Sequence, residues 1–262
     1  MKAWLQPFLV KMILVSSLFA WLFLFGATRH GVCLHRSEIL YYELTWKGAK
    51  AGHGDISMKR DAKTANVIIQ AVSDGYLKAV LEIWTRIMAT FSAGTFSPRS
   101  YQYRLKSNLL PTELVQLAFD HKKRLVKVDK QKGDHKETHS EKFSRVYDPV
   151  SAVYLLRYQR DFDKPMFVDI YDGKDRVRLF AQPSGKGRVR IRAGEYAAVR
   201  LNLRLVKLTG DKKQVGTGEL WISNDDWRLP LLLTSSPIVG TVRFELVQVR
   251  LPERPRKKKN KR

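Results

Sequence analysis

Beyond residue 33 most of the chain alternates apolar and polar positions with a period of two, the pattern of antiparallel strands that bury one face. The clearest run is Val199-Arg200-Leu201-Asn202-Leu203-Arg204-Leu205, with Arg188-Val189-Arg190-Ile191-Arg192 and Arg176-Val177-Arg178-Leu179 built the same way. Tyr42-Glu43-Leu44-Thr45-Trp46 opens the domain as a strand, and Val242-Arg243-Phe244-Glu245-Leu246 alternates until the phase slips at Val247, which predicts a bulge. The polar stretch Asp120 to Lys123 separates two alternating runs and predicts a hairpin. Gly185-Lys186-Gly187 and Asn224-Asp225-Asp226 also read as hairpin turns, because Gly, Asn and Asp tolerate turn geometry.

Two segments follow a helical period instead. Leu77, Val80, Leu81 and Trp84 are spaced by three and four, but Ile83, Thr85 and Ile87 then alternate, so a short helix from Gly75 to about Ile83 runs into a strand. Asp148-Pro149 starts a second helix, through Arg157. Its carboxylate accepts free amide hydrogens, and Pro at the first helical position has none to satisfy. Residues 129–142 are polar throughout and read as a long loop. The fold expected is mainly β: one antiparallel curled sheet or half-open β-barrel with one or two short helices.

The ends differ from this body. Met12 to Ala27 is a sixteen-residue run without a charge, placed behind Lys2 and Lys11. Its length lies between a secretory core segment and a spanning helix, so residues 1–33 are either a cleaved signal peptide or an N-terminal membrane anchor. Both place the domain at 34–251 outside the cytoplasmic membrane, in a periplasm. The single cysteine, Cys33, precedes that domain and excludes a disulfide scaffold or a cysteine-rich zinc site. Residues 252–262 carry Arg256, Lys257, Lys258, Lys259, Lys261 and Arg262 and form a basic tail expected to be disordered.

With 48 Lys and Arg against 25 Asp and Glu, the formal net charge is +23. If the three arginine-bearing strands are neighbours, Arg176, Arg178, Arg188, Arg190, Arg200 and Arg204 cover one sheet face and, with the tail, would attract an anionic membrane surface or a lipopolysaccharide-type polyanion. Export and the lack of a stacking-aromatic signature argue against nucleic acid. No phosphate loop, dinucleotide fingerprint or nucleophile elbow occurs. His135-Lys136-Glu137-Thr138-His139 has Lys where a zinc-protease helix needs Glu, so neither a metal nor a cofactor is expected.

Four strings in order carry a resemblance. They are Tyr42-Glu43-Leu44-Thr45-Trp46-Lys47-Gly48 with Ala51-Gly52, Asp148 to Arg157, Ala193-Gly194-Glu195-Tyr196-Ala197-Ala198-Val199-Arg200, and Trp221 to Pro230. Over residues 40–250 they resemble a family of bacterial exported proteins known as domain of unknown function 3108. The resemblance implies an envelope-associated β-rich domain with the 148–157 helix at its centre. It carries over no catalytic residue. The heavy Arg and Lys loading and the basic tail depart from the family pattern. A concave apolar face makes either a packed core or a pocket for an acyl chain, and Trp46, Trp84, Tyr154, Leu155 and Trp221 are the candidate lining residues. Two readings of function follow: a non-enzymatic envelope protein that binds a lipid or amphipathic ligand, or a scaffolding protein bound to acidic glycans or protein partners.

Overall fold

The alternating segments form fourteen strands of one antiparallel sheet in the computed structural model, which describes residues 37–159, 161–209, 214–235 and 241–252. The strands are β1 (Ser37–Trp46), β2 (Ala49–Arg60), β3 (Thr64–Ser73), β4 (Ile83–Ser92), β5 (Pro98–Ser107), β6 (Glu113–Asp120), β7 (Leu125–Lys132), β8 (His135–Lys142), β9 (Met166–Tyr171), β10 (Arg176–Ile191), β11 (Gly194–Lys207), β12 (Gln214–Ser223), β13 (Pro230–Ser235) and β14 (Val242–Arg250). Their order is β8-β7-β6-β5-β4-β3-β2-β1-β14-β13-β12-β11-β10-β9. Two meanders therefore run outward from the central β1–β14 pair. The bulge falls where the phase slip predicts it: Tyr41 pairs with Gln248 and Tyr42 with Leu246, leaving Val247 unopposed.

The sheet is not closed, because β8 and β9 are its two edges and do not pair. Side chains cross the gap instead. Tyr171 Oη donates to Glu141 Oε1 at 2.7 Å, and Arg176 Nη2 donates to Glu141 Oε2 at 3.0 Å. Phe143 packs on Tyr171 with ring centroids 5.1 Å apart. The free edge of β9 is covered by Tyr147, which donates to Asp169 O and accepts from Tyr171 N, each at 2.9 Å. The β9–β10 turn bends inward at Gly173 (φ +92°), where a Cβ would lie 2.5 Å from Val115 Cγ1.

Between the meanders the chain crosses the concave face as helix α2 (Pro149–Arg157), with α1 (Gly75–Val80) the shorter helix before β4. Val150, Ala152, Tyr154 and Leu156 of α2 are buried in one core with Met58, Phe91, Leu117, Val128, Ile170, Leu179, Leu201 and Ile222, drawn from both meanders. Each buried Val, Leu, Ile, Phe or Met among them contributes roughly 1.5–3 kcal/mol by leaving water. A smaller core joins Leu40 and Leu246 to Trp227, Leu231 and Ile191, so the tip of the β10–β11 hairpin folds back on the middle of the sheet. A third seats Leu77 of α1 with Leu81 on Ala51.

Two expectations are overturned. Residues 129–142 are not a loop: β7 and β8 pair along their whole length, Leu125 to Lys142 through Lys132 to His135. β8 is an edge strand wet on both faces, so it has no apolar alternation to read. Gly185-Lys186-Gly187 is not a turn either. It lies inside the sixteen-residue β10, just after a register shift between Pro183 and Gly185, and the hairpin turns at Arg192-Ala193 instead. The segments 1–33 and 253–262 lie outside the described residues, and among the described residues no helix is long and apolar enough to cross a membrane.

Asp148 starts α2 as expected, its Oδ1 accepting from Val150 N at 2.8 Å and Ser151 N at 3.1 Å. Burial pushes its carboxyl from 3.8 up to about 6, and the capping amides offset only part of that. A folded pKa above the unfolded one favours the folded state when the group is protonated. This contribution is full below pH 3.8 and lost as pH rises through about 6. An Asp148→Asn variant keeps an accepting oxygen and cannot titrate. Urea unfolding across this pH range should show the variant gaining on the parent as pH rises; parallel profiles would refute the assignment.

Candidate functional site

The most unusual chemistry lies inside the core. β1 places Glu38 on the same parity as Leu40, so the strand carries its carboxylate into the concave side, where the Glu38 side chain is 0% exposed. The last turn of α2 brings Arg157, whose side chain is 1% exposed, against it. Arg157 Nη1 and Nη2 donate to the two Glu38 oxygens at 2.6 and 2.9 Å, a bidentate pair. Tyr154 Oη, one helical turn earlier, donates to Glu38 Oε1 at 2.7 Å.

The predicted turn at Asn224-Asp225-Asp226 completes the cluster. Asp225 Oδ1 accepts from Ser223 Oγ, Trp227 N and Arg228 N, which winds the β12–β13 connection tightly. The winding leaves the Arg228 and Trp227 carbonyls facing Arg157, which donates to them at 2.9 and 3.3 Å. The guanidinium also lies 4.8 Å from the Tyr154 ring and 5.4 Å from the Tyr158 ring. Burial pushes the Tyr154 phenol well up, and the Glu38 charge beside it adds to that. Burial alone would lower Arg157, but Glu38 outweighs it and holds the guanidinium charged. Both charges are satisfied and shut away from water, so the arrangement locks the helix in place and offers no open position to a substrate.

The candidate pocket residues do not converge. Tyr154 belongs to the cluster just described, and Leu155 packs on the edge of the core. Trp46 and Trp84 sit at one rim of the sheet, at the end of β1 and the start of β4. Trp221 is half-buried on β12, and Arg200 lies over its ring at 5.6 Å. A groove of about 420 Å3 opens beside Trp84, lined among others by His53, Asp74, Lys78, Lys106 and Asn108.

The arginines do not share one face. Cross-strand partners point to the same side of a sheet. Arg204 opposes Phe180 and Arg200 opposes Gly185, but past the shift at Pro183 Arg188 opposes Ala197 and Arg190 opposes Glu195, on the side of Val199 and Leu201. Most are also engaged. Arg176 reaches Glu141, Arg178 reaches Asp169 at 3.2 Å, and Arg188 and Arg190 share Glu195 at 2.8 and 3.3 Å. Arg200 lies 3.6 Å from Glu219, and the Arg204 guanidinium stacks 3.9 Å over Phe180. Burial pushes Asp169 up to about 6 despite Arg178 beside it. His135 and His139 lie on a strand, and among the described residues no three His, Cys, Asp or Glu side chains group as a metal site.

The sequence profile described as "Protein of unknown function (DUF3108)" matches residues 41–247. The chain belongs to this family. The fold also resembles a β-barrel-like protein of domain of unknown function DUF1849 from Brucella abortus. That match has a TM-score of 0.56 at 11% identity and covers 84% of this chain and all of that one. Weaker likenesses reach a protein with a YmcC-like fold from Bacteroides fragilis (TM-score 0.37, 9% identity, 83% of this chain and 96% of that chain) and a DUF1089 family protein from Pseudomonas aeruginosa (TM-score 0.35, 10% identity, 81% and 93%). No curated protein matches the sequence. The DUF1849 likeness is one of fold, and the family fixes no activity.

The Glu38–Arg157 pair was missed from sequence, yet half of it leaves a trace: Glu38 is an acid in phase with the apolar side of its strand. Removing one partner strands a buried charge, so Glu38→Leu should cost about 3–5 kcal/mol. The double variant Glu38→Leu/Arg157→Met should recover a substantial part of that loss. Urea midpoints of parent, single and double variants decide it; additive losses would mean the two groups do not act as a pair.

Proposed function

We propose that the chain is a non-enzymatic envelope protein that works by contact with an anionic surface, such as the phosphates of lipid or lipopolysaccharide head groups. The observation that carries this reading is the filled concave face. Where a lipid carrier keeps a cavity, α2 lies with Val150, Ala152, Tyr154 and Leu156 all buried, tied to β1 by Glu38 and Arg157. Binding then falls to the exterior, and a formal charge of +23 selects polyanions over neutral partners. An exported location is supported by the apolar run behind Lys2 and Lys11 and by the absence of any cysteine after Cys33.

A second reading, an amphipathic small ligand, is favoured by the groove of about 420 Å3 beside Trp84. Such a ligand would sit at the rim and not in the interior.

Two measurements separate these readings. The full-length protein should co-sediment with vesicles containing phosphatidylglycerol and leave them as salt rises, because the Debye length shrinks from about 30 Å at 0.01 M to about 10 Å at 0.1 M. Native mass spectrometry after mild extraction should show the bare protein mass. Salt-insensitive partition into neutral vesicles would refute the first reading, and a retained stoichiometric ligand would favour the second.

A further inference from the structure

In an antiparallel meander alternate connections fall at the same rim. One rim therefore gathers the β1–β2 turn at Lys47-Gly48, the β3–β4 connection with α1, the β5–β6 loop 108–112 and the start of β12. Every large hydrophobic side chain that stands exposed among the described residues lies there: Tyr76 (49%), Val80 (56%), Leu109 (51%) and Val215 (40%). Two tryptophans lie beside them. Trp46 stacks on Tyr76 with centroids 6.3 Å apart and planes 15° apart, and Trp84 lines the neighbouring groove.

Two lysines of this rim are laid on those aromatics. Lys47 Nζ is 5.5 Å from the Trp46 ring and Lys106 Nζ is 5.7 Å from the Trp84 ring; neither has an ion-pair partner among the described residues. Of the acids beside these aromatics, Asp74 is matched by Lys50 at 2.6 Å and Glu82 by Lys78 at 3.6 Å. The rim is held firmly from below. Leu77 and Leu81 are buried on Ala51, Ser73 Oγ accepts from Ile83 N at 2.9 Å, and Glu82 and Asn108 are hydrogen-bonded to each other. The opposite rim also bears cations, Lys63, Lys122 and Lys123, but no exposed large hydrophobic among the described residues.

We propose that the rim bearing α1 is a bilayer-docking face. Tyr76, Val80 and Leu109 enter the boundary between head groups and acyl chains, Trp46 and Trp84 lie at head-group level, and Lys47 and Lys106 meet lipid phosphates. Aromatic side chains with a polar tip and long-stemmed lysines suit that boundary. A flat fluid partner fits better than a protein. The exposed apolar residues come from separate connections around the rim, a few each, and do not cluster into the single central patch that a protein anchor uses. This inference rests on the anionic-surface reading and names the part of the molecule that makes the contact.

The test is amine labelling of the full-length protein, read residue by residue by mass spectrometry. It is run without vesicles, with neutral phosphatidylcholine vesicles, and with vesicles containing phosphatidylglycerol. On the anionic vesicles the labelling of Lys47, Lys78 and Lys106 should fall at least about threefold, while Lys63, Lys122 and Lys123 stay near their free rates. Protein that binds with Lys63, Lys122 and Lys123 protected instead, or with all lysines equally protected, would overturn this face and leave the anionic-surface reading standing. Protein that binds no vesicle would end both. As a second arm, Tyr76→Ser/Val80→Ser removes two largely exposed side chains, so it should lower the urea midpoint only slightly and weaken partition roughly tenfold. Unchanged partition would also overturn the proposal.

Discussion

A curled sheet of fourteen strands presents a concave apolar face that something must fill, and here one nine-residue helix fills it. The position of that helix is set by the Glu38–Arg157 pair. Apolar contacts alone are weakly directional and would tolerate a slipped or rotated α2. A bidentate guanidinium that must meet two carboxylate oxygens and the carbonyls of Trp227 and Arg228 tolerates one placement. Burying two charges costs desolvation energy that their attraction only partly returns. The gain is in definition: β1, α2 and the β12–β13 turn, from three distant parts of the chain, are fixed to one another at a single point.

The seam between β8 and β9 follows from the same arrangement. The chain leaves β8, threads the interior as α2 and returns to begin β9, and on the way Tyr147 takes backbone positions on the β9 edge that β8 would otherwise need. Exposed edges invite pairing with other chains. This protein covers one edge with Tyr147 and bridges the gap with Glu141, Tyr171 and Arg176. Burial would raise the Glu141 carboxyl, but the hydrogen bonds from Tyr171 and Arg176 outweigh it and hold the group below the usual range. The bridge is therefore electrostatic and partly wet, beside the ring contact of Phe143 with Tyr171.

Legibility in the sequence tracked burial of one face. Val199 to Leu205 reads as a strand because only one side is buried, and Val247 betrays its bulge because both flanks keep phase. Asp148-Pro149 marks α2 because capping is local chemistry. β8 was invisible because neither face is buried, and the unbroken β10 was hidden by two glycines that mark a register shift and not a turn. The shift itself decides which side Arg188 and Arg190 occupy, so a face drawn from spacing alone was wrong by one residue. Arg157 pairs with a residue 119 positions away, and no local pattern reports such a partner. The rim was equally hidden: Trp46, Tyr76, Trp84 and Leu109 are scattered in sequence, and only the meander brings them together.

Net charge, finally, does not say where a partner binds; which cations stand without an acid beside them does. The guanidinium is planar and offers paired donors, which suits it to carboxylates and ring faces within the fold. Arg157, Arg176, Arg178, Arg188, Arg190, Arg192 and Arg243 all close on Glu or Asp, as do Lys50, Lys78 and Lys207. Their charge is largely answered where they stand. Lys47 and Lys106 lie over tryptophans, which leave the positive charge unneutralised and open to water. A cation resting on an aromatic ring keeps its field outward, beside an apolar surface that cannot hydrate well. That combination lowers the cost of meeting a phosphate layered over hydrocarbon. A surface of paired arginines, however numerous, lacks it.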